Sequence, residues 1–107
     1  MRDDQERIRD ILESIENIEK YAAAGQGKFN QDELIQTWTI HHLQIIGEAA
    51  ARLTEQFKER HPEIPWFQVI GMRNILIHRY FGIDKEIVWE VVEKDIPALK
   101  ENLKLIL

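Results

Sequence analysis

The chain lacks cysteine altogether and has only three prolines and five glycines in 107 residues. Without cysteine, disulfides, zinc ribbons and thiol catalysis are excluded. No stretch alternates apolar and polar residues over the length of a strand, which argues against a sheet. No run approaches the roughly 18 apolar residues of a membrane span, and the polar, acidic start does not match a signal peptide. We therefore expect a cytoplasmic protein with no membrane partner, folded as one domain over residues 1–107.

Basic residues are also in short supply. Fourteen lysines and arginines stand against 19 aspartates and glutamates, which gives a net charge of −5. Proteins that hold nucleic acid by overall charge are usually basic. Any nucleic acid must therefore be bound through a local site, and the acidic balance favours functions that need none.

Apolar residues recur at three- and four-residue spacing through most of the chain, as in amphipathic helices. Gly25-Gln26-Gly27 predicts a turn after the first helix, and the length of the second helix predicts a kink near Gly47. The predicted helices cover Asp3–Ala24, Asn30–Glu59, Pro65–Tyr80 and a segment after Asp84 that kinks or restarts at Asp95-Ile96-Pro97. The predicted fold class is all-α, an up-down bundle of four to five helices.

The third predicted helix carries Arg73, Asn74, His78 and Tyr80 within the most apolar part of the sequence. A charge in a buried stripe is unfavourable unless it is paired or used. Arginine offers a planar fork to phosphate oxygens, and histidine moves protons near neutral pH, so the pair suits a phosphodiester. The structural alternatives are an arginine that reaches solvent from the stripe edge or meets a buried carboxylate, and a histidine that only packs.

Arg73 and His78 are five residues apart, so about 140° separates them around a straight helix. A composite site, for example across a two-fold dimer, would bring both to one point. Gly71 allows a close approach at this helix, either by a partner subunit or by another helix of the same bundle. Tyr80 lies about two turns from Arg73 and shares its face.

Other polar and aromatic residues carry weaker signals. His41, Gln44, Glu48 and Arg52 form one edge of the second predicted helix. Glu48 either pairs with Arg73 across helices or belongs to a solvated margin. No role is assigned to His41 or to the neighbouring His42. The tryptophans could stack nucleic-acid bases, but core packing is favoured for all three, at positions 38, 66 and 89.

The sequence from Arg73-Asn74 through His78 to Tyr80 resembles the motif of HEPN domains, specifically the HepT-like toxin branch. The flanks support the resemblance over essentially the whole chain. They are Ile45-Ile46-Gly47-Glu48-Ala49, Ile64-Pro65-Trp66, Gly71-Met72 and Val88-Trp89.

This resemblance implies a helical bundle that dimerises through the motif helix, with a ribonuclease site at the subunit interface and possible further assembly into a higher oligomer. It implies RNA cleavage without metal or cofactor, with Arg73 and His78 catalytic and Asn74 and Glu48 supporting. Tyr80 matches the tyrosine to which a cognate MntA-like nucleotidyltransferase antitoxin attaches AMP. The expected function is thus an endoribonuclease toxin of a type VII-like toxin–antitoxin module. The alternative is a non-catalytic helical dimer that binds and regulates a nucleotidyltransferase or a nucleotide.

Overall fold

A computed structural model describes residues 3–76 and 84–107, and these residues form helices and no strand. The helices are α1 (Asp4–Ala22), α2 (Gln26–Gln31), α3 (Glu33–Ala51), α4 (Glu55–Arg60), α5 (Trp66–Gly71), α6 (Lys85–Glu90) and α7 (Ile96–Ile106). A 3-10 segment, Met72–Leu76, continues α5, and a π-helical segment, Val91–Asp95, joins α6 to α7. The predicted all-α bundle is confirmed.

Short polar side chains begin four of the helices by accepting hydrogen bonds from otherwise unpaired backbone N–H groups. Asp3 caps α1, Asp32 caps α3, Thr54 caps α4 and Asp84 caps α6. The prediction that the second helix begins at Asn30 is therefore wrong, because Asn30 lies inside α2 and Asp32 begins the next helix.

The second predicted helix is divided after Ala51, at a point that neither glycine nor proline marks. α3 runs through Gly47 without interruption and ends at Ala51, and α4 begins at Glu55. The carboxylate of Asp4 accepts hydrogen bonds from the backbone N and the hydroxyl of Thr54, at 2.9 and 2.7 Å. This contact holds the end of α3 against the start of α1 and fixes the break.

The chain was predicted to kink or restart at Asp95-Ile96-Pro97, and there the structure has a π-helical segment, Val91–Asp95, directly followed by α7. Proline has no N–H and its ring clashes with the carbonyl four residues earlier, here that of Glu93. A local π turn accommodates such a mismatch without ending the helix.

The core is built mainly from α1, α3 and α7, whose inward residues are almost fully buried. The most deeply buried of them are Ile8, Ile11, Ile15, Ile18, Leu43, Ile46, Ala50, Ile96, Leu99 and Leu103. Trp66 and Trp89 are also buried, so core packing is confirmed for these two. Trp38 is partly buried, and its indole N–H donates to the backbone oxygen of Asn17 at 2.7 Å.

None of the helices within residues 3–76 and 84–107 is both long and apolar enough to cross a membrane.

Candidate functional site

Arg73 lies on the 3-10 segment, where its backbone packs directly against α3. A methyl carbon placed on Gly47 would lie 2.7 Å from the backbone N of Arg73, 2.8 Å from its Cβ and 2.9 Å from the carbonyl oxygen of Ile70. Only glycine fits at such a distance, because real Cβ atoms essentially never come within 3.0 Å of a neighbouring atom. Gly47 therefore sets how closely Arg73 approaches the bundle.

Sequence reasoning missed this role, since it treated Gly47 only as a point of bending. The available signal was a glycine on an otherwise apolar helix, which is unfavourable unless another backbone comes close.

The side chains of Arg73 and Asn74 are both exposed. The expectation that Arg73 lies within a buried stripe is wrong. Val69 and Met72 take the inward positions of this region, and the winding changes from α to 3-10 at Met72. Among residues 3–76 and 84–107, no ion pair or hydrogen bond engages the guanidinium of Arg73. Within that part of the structure, its five donors are open to an anionic ligand.

Glu48 is exposed and lines a cleft between α1 and α3. It follows Gly47, and successive helical residues point about 100° apart, so Glu48 faces away from the contact with Arg73. Within the described ranges no ion pair joins Glu48 to Arg73. The structure therefore places Glu48 with the residues of this cleft.

No helix within residues 3–76 and 84–107 packs closely on Gly71, because a methyl group placed there would meet no heavy atom within 4 Å. Within the described residues, the close backbone contact belongs to Gly47 and not to Gly71. Phe67, one turn before Gly71, is 87% exposed, and Asn74 is exposed three residues after it. Phe67, Gly71 and Asn74 thus follow one open side of α5 and the 3-10 segment.

His78 and Tyr80, the predicted base or acid and the predicted modified residue, lie outside the described residues. The structure places the backbone of Arg73 against α3 at Gly47 and leaves the next residue, Asn74, exposed on the open side.

His42, for which the sequence indicated no role, is buried between α1 and α3. Its Nδ1 lies 3.2 Å from the hydroxyl oxygen of Ser14, which is also buried. Its Nε2 is buried and has no hydrogen-bond partner within the described part of the chain. Burial lowers the pKa of His42 below its ordinary 6.5, and the neighbouring His41 lowers it further, against a smaller opposing effect of Glu13. His42 is therefore neutral in the folded protein at pH 7.

This lowered pKa predicts that the protein loses stability in mild acid. The unfolded chain binds a proton at His42 near pH 6.5, whereas the folded protein resists protonation until a lower pH. The contribution of neutral His42 to the free energy of unfolding is therefore complete above pH 6.5. It declines as the pH falls toward the pKa of His42 in the folded protein, by at most about 1.4 kcal/mol per pH unit for one proton. Urea unfolding at several pH values should show a steeper acid decline for the wild type than for His42→Gln. Equal slopes would contradict the shift.

Comparison with known proteins identifies the family. Residues 11–106 match the family described as ribonuclease HepT-like. A protein of Methanocaldococcus jannaschii, whose name gives it as an RNase by inference, is 36% identical over 98% of this chain and 97% of its own length. The protein named as the probable ribonuclease HepT of Thermococcus cleftensis is 42% identical over 92% of this chain and 91% of its own length.

A longer Methanocaldococcus jannaschii protein, named as a gamma-glutamylcyclotransferase and inferred RNase, is 44% identical over 90% of this chain but only 44% of its own length. No solved structure matches the chain significantly. The family match spans most of the chain, and relatives of equal length are more than 30% identical to it. The chain therefore belongs to the ribonuclease HepT-like family.

Proposed function

We propose that this protein is an endoribonuclease toxin that cleaves RNA without metal, using Arg73 and His78. The observation that carries the proposal is the position of Arg73. Its backbone is packed on α3 at Gly47, while its side chain is exposed and engages no partner among the described residues. An exposed guanidinium on a firmly packed backbone can bind a phosphate group. The family match supports RNA as the source of that phosphate, because the family is named for ribonucleases.

RNA carries its own nucleophile, the 2′-hydroxyl. One histidine removes the proton of this hydroxyl as the oxygen attacks phosphorus, and the bond to the 5′-oxygen breaks as that oxygen takes up a proton. The products are a 2′,3′-cyclic phosphate and a 5′-hydroxyl end. Arg73 stabilises the negative charge on the non-bridging oxygens, and Asn74 orients the phosphate or His78. Glu48 lines the cleft between α1 and α3 and forms no ion pair with Arg73 within the described ranges, so any support that it gives to this site would be indirect.

A homodimer completes this proposal. Phe67 exposes nearly its whole ring beside the open surface at Gly71, and the same side continues to Asn74. A bulky ring next to a residue without a side chain suits a two-fold contact, in which the ring of each subunit packs on the glycine of the other. Such a contact would bring the two Arg73–Asn74 segments together and supply two copies of His78, one as base and one as acid.

The proposal includes regulation by a cognate nucleotidyltransferase that attaches AMP to the phenolic oxygen of Tyr80. The added phosphate and base would occupy the space over Arg73 and compete for its guanidinium. The α,β-phosphate bond of ATP would supply the energy, with pyrophosphate as the leaving group.

Co-expression with the nucleotidyltransferase should raise the intact mass of the protein by one or more AMP units, mapped to Tyr80, and should abolish RNA cleavage. Tyr80→Phe should gain no mass and should stay active beside the same enzyme. An unchanged wild-type mass after co-expression would contradict the antitoxin part of the proposal. Cleavage by the unmodified protein would still stand as a separate result.

The alternative, a non-catalytic dimer that regulates a nucleotidyltransferase or binds a nucleotide, is favoured by the net charge of −5. It predicts that the unmodified protein leaves RNA intact under every condition.

A further inference from the structure

A cleft of about 290 Å³ separates α5 from α7, and neither Arg73 nor Asn74 lines it. The α5 side contributes Gln68, Val69 and Met72, and the α7 side contributes Asp95, Leu99 and Asn102. On each side these residues recur at helical spacing, so each set forms one face of its helix. From Asp95 to Asn102 this face is about 10 Å long.

The floor of the cleft is apolar and well packed. Val69 and Met72 from one side and Leu99 from the other are each more than nine-tenths buried. A flat ring that covers such a floor is stabilised, because its apolar face and the floor are both removed from water. The floor therefore suits an aromatic ring or a nucleic-acid base.

Two aromatic contacts show that α5 and α7 run in opposite directions. Trp89 of α6 packs on Phe29 with ring centroids 5.4 Å apart, and Gln36 near the start of α3 donates to the backbone oxygen of Phe29 at 2.8 Å. The helix that continues into α7 therefore begins beside the start of α3. Trp66, the first residue of α5, packs instead on Phe57, which follows the end of α3. Thus α5 runs toward the start of α3, whereas α7 runs away from it.

The polar groups of the cleft lie at its two ends. Because the helices are antiparallel, Asp95 lies at the end near Met72, and Asn102 lies at the end near Gln68. None of the three polar side chains has a hydrogen-bond or ion-pair partner in the described part of the chain. No basic residue from the ranges 3–76 and 84–107 lines the cleft. The cleft therefore offers carboxylate oxygens at one end and amide groups at the other.

Asp95 is the most distinctive of these polar groups. It is the last residue of the π-helical segment, and π turns inside α-helices are frequent at functional sites. It precedes α7 but makes no capping hydrogen bond, and its neighbour Lys94 pairs with Glu90 at 3.6 Å instead. An exposed carboxylate without a partner, beside an apolar floor, suits a ring that brings hydrogen-bond donors.

Among the four RNA bases, guanine fits this arrangement. It alone carries two neighbouring donors on one edge, N1–H and the N2 amino group, and the two oxygens of a carboxylate accept both. Its opposite edge carries the acceptor N7, to which the amide of Asn102 or Gln68 can donate. Adenine and cytosine place an acceptor nitrogen beside their amino group, and uracil flanks its one N–H with carbonyl oxygens, so a carboxylate repels part of each edge.

We propose that this cleft selects a guanine base of the RNA substrate, with Asp95 as the residue that determines the specificity. Arg73 directly follows Met72, so a base that packs on Met72 has its sugar and phosphates on the same segment as the exposed guanidinium. Asp95 contacts the base and not the reacting atoms. The inference rests on the proposed function for RNA as the ligand, and it adds the base that is recognised.

The test measures binding without cleavage. The full chain is titrated with fluorescent 2′-O-methyl RNA oligonucleotides that differ only in one central base, and binding is followed by fluorescence anisotropy. The methyl group blocks the hydroxyl that would attack phosphorus, so these oligonucleotides stay intact. The guanine oligonucleotide should bind about tenfold or more tightly than those with adenine, cytosine or uracil. Inosine lacks the N2 amino group and should lose most of this preference.

Two matched variants test the role of the carboxylate. Asp95→Asn should bind the four oligonucleotides alike. Glu101→Gln is the control, since Glu101 is an exposed carboxylate of α7 that does not line the cleft. Both changes remove one negative charge from an acidic protein, so a general gain in RNA affinity appears in both. Only Asp95→Asn should lose the preference for guanine, and circular dichroism shows that both variants are folded.

Four results would overturn the proposal. They are equal binding of the four oligonucleotides by the wild type, a guanine preference that survives in Asp95→Asn, its loss in Glu101→Gln, and competition by free GMP at the same concentration as the guanine oligonucleotide. The last would assign the cleft to a free nucleotide. Cleavage of ordinary RNA by the same preparations is a separate measurement. RNA left intact would contradict the ribonuclease proposal, whereas cleavage that ignores neighbouring guanines would contradict only the selection of guanine.

Discussion

Arg73→Ala and His78→Ala should each lower the rate of RNA cleavage by a factor of about 10² to 10⁴, with little change in folding. Arg73 supplies charge to the phosphate only as negative charge builds up on its oxygens, so its removal lowers the rate of the chemical step. Because its side chain is exposed, its loss should change the free energy of unfolding by no more than about 0.5 kcal/mol. Single-turnover cleavage and thermal unfolding of the same preparations give the two quantities.

Two further variants make the result specific. Arg73→Lys keeps the charge but loses the planar fork and should recover only part of the rate. Arg9→Ala removes an exposed arginine of α1, away from the 3-10 segment that carries Arg73, and should cleave RNA as the wild type does. Full activity of Arg73→Ala would remove the basis of the proposed chemistry. A His78→Ala protein that fails to fold would support the structural alternative for that histidine.

Gly47→Ala should destabilise the fold and also reduce cleavage. The added methyl group would lie within 3.0 Å of backbone atoms of Arg73 and Ile70, which cannot rotate away as a flexible side chain can. Overpacking of this kind costs about 1–3 kcal/mol, and the relief is a shift of the segment that holds Arg73. Chemical unfolding should show the loss of stability, and cleavage measured well below the unfolding temperature should show the displacement of Arg73.

The matched control is Gly27→Ala. Gly27 lies in α2, and a methyl group there would meet no heavy atom within 4 Å. This variant should be as stable as the wild type or more so, since alanine favours a helix by up to about 1 kcal/mol over glycine. A Gly47→Ala protein with wild-type stability and activity would show that the contact with Arg73 is not needed.

Local sequence pattern was enough to predict the fold class and the long helices, because apolar residues at helical spacing define α1, α3 and α7. The local pattern failed where a contact between residues far apart in the sequence determines the end of a helix. The break after α3 depends on Asp4, which is 50 positions away from the Thr54 that it binds. The short helix α2 was missed because its glycines indicate a turn, whereas burial of Phe29 and its carbonyl bond to Gln36 hold it in place.

The candidate site was predictable to a similar degree. The motif pointed to Arg73 and Asn74, and the structure places both at the surface. The sequence left open whether Arg73 is buried or reaches solvent, because that depends on which residues of this segment face the bundle, and the structure buries Val69 and Met72. Nor could it pair Gly47 with Arg73 or His42 with Ser14, since each contact joins residues more than 25 positions apart.

The most direct test of the ribonuclease proposal is the chemistry of the RNA ends. Protein shown by intact mass to carry no AMP is incubated with RNA in EDTA, and the products are examined by mass spectrometry. We predict cleavage that leaves 2′,3′-cyclic phosphate and 5′-hydroxyl ends and that is lost in Arg73→Ala. RNA left intact by this unmodified protein, or cleaved only when a divalent metal is restored, would contradict it.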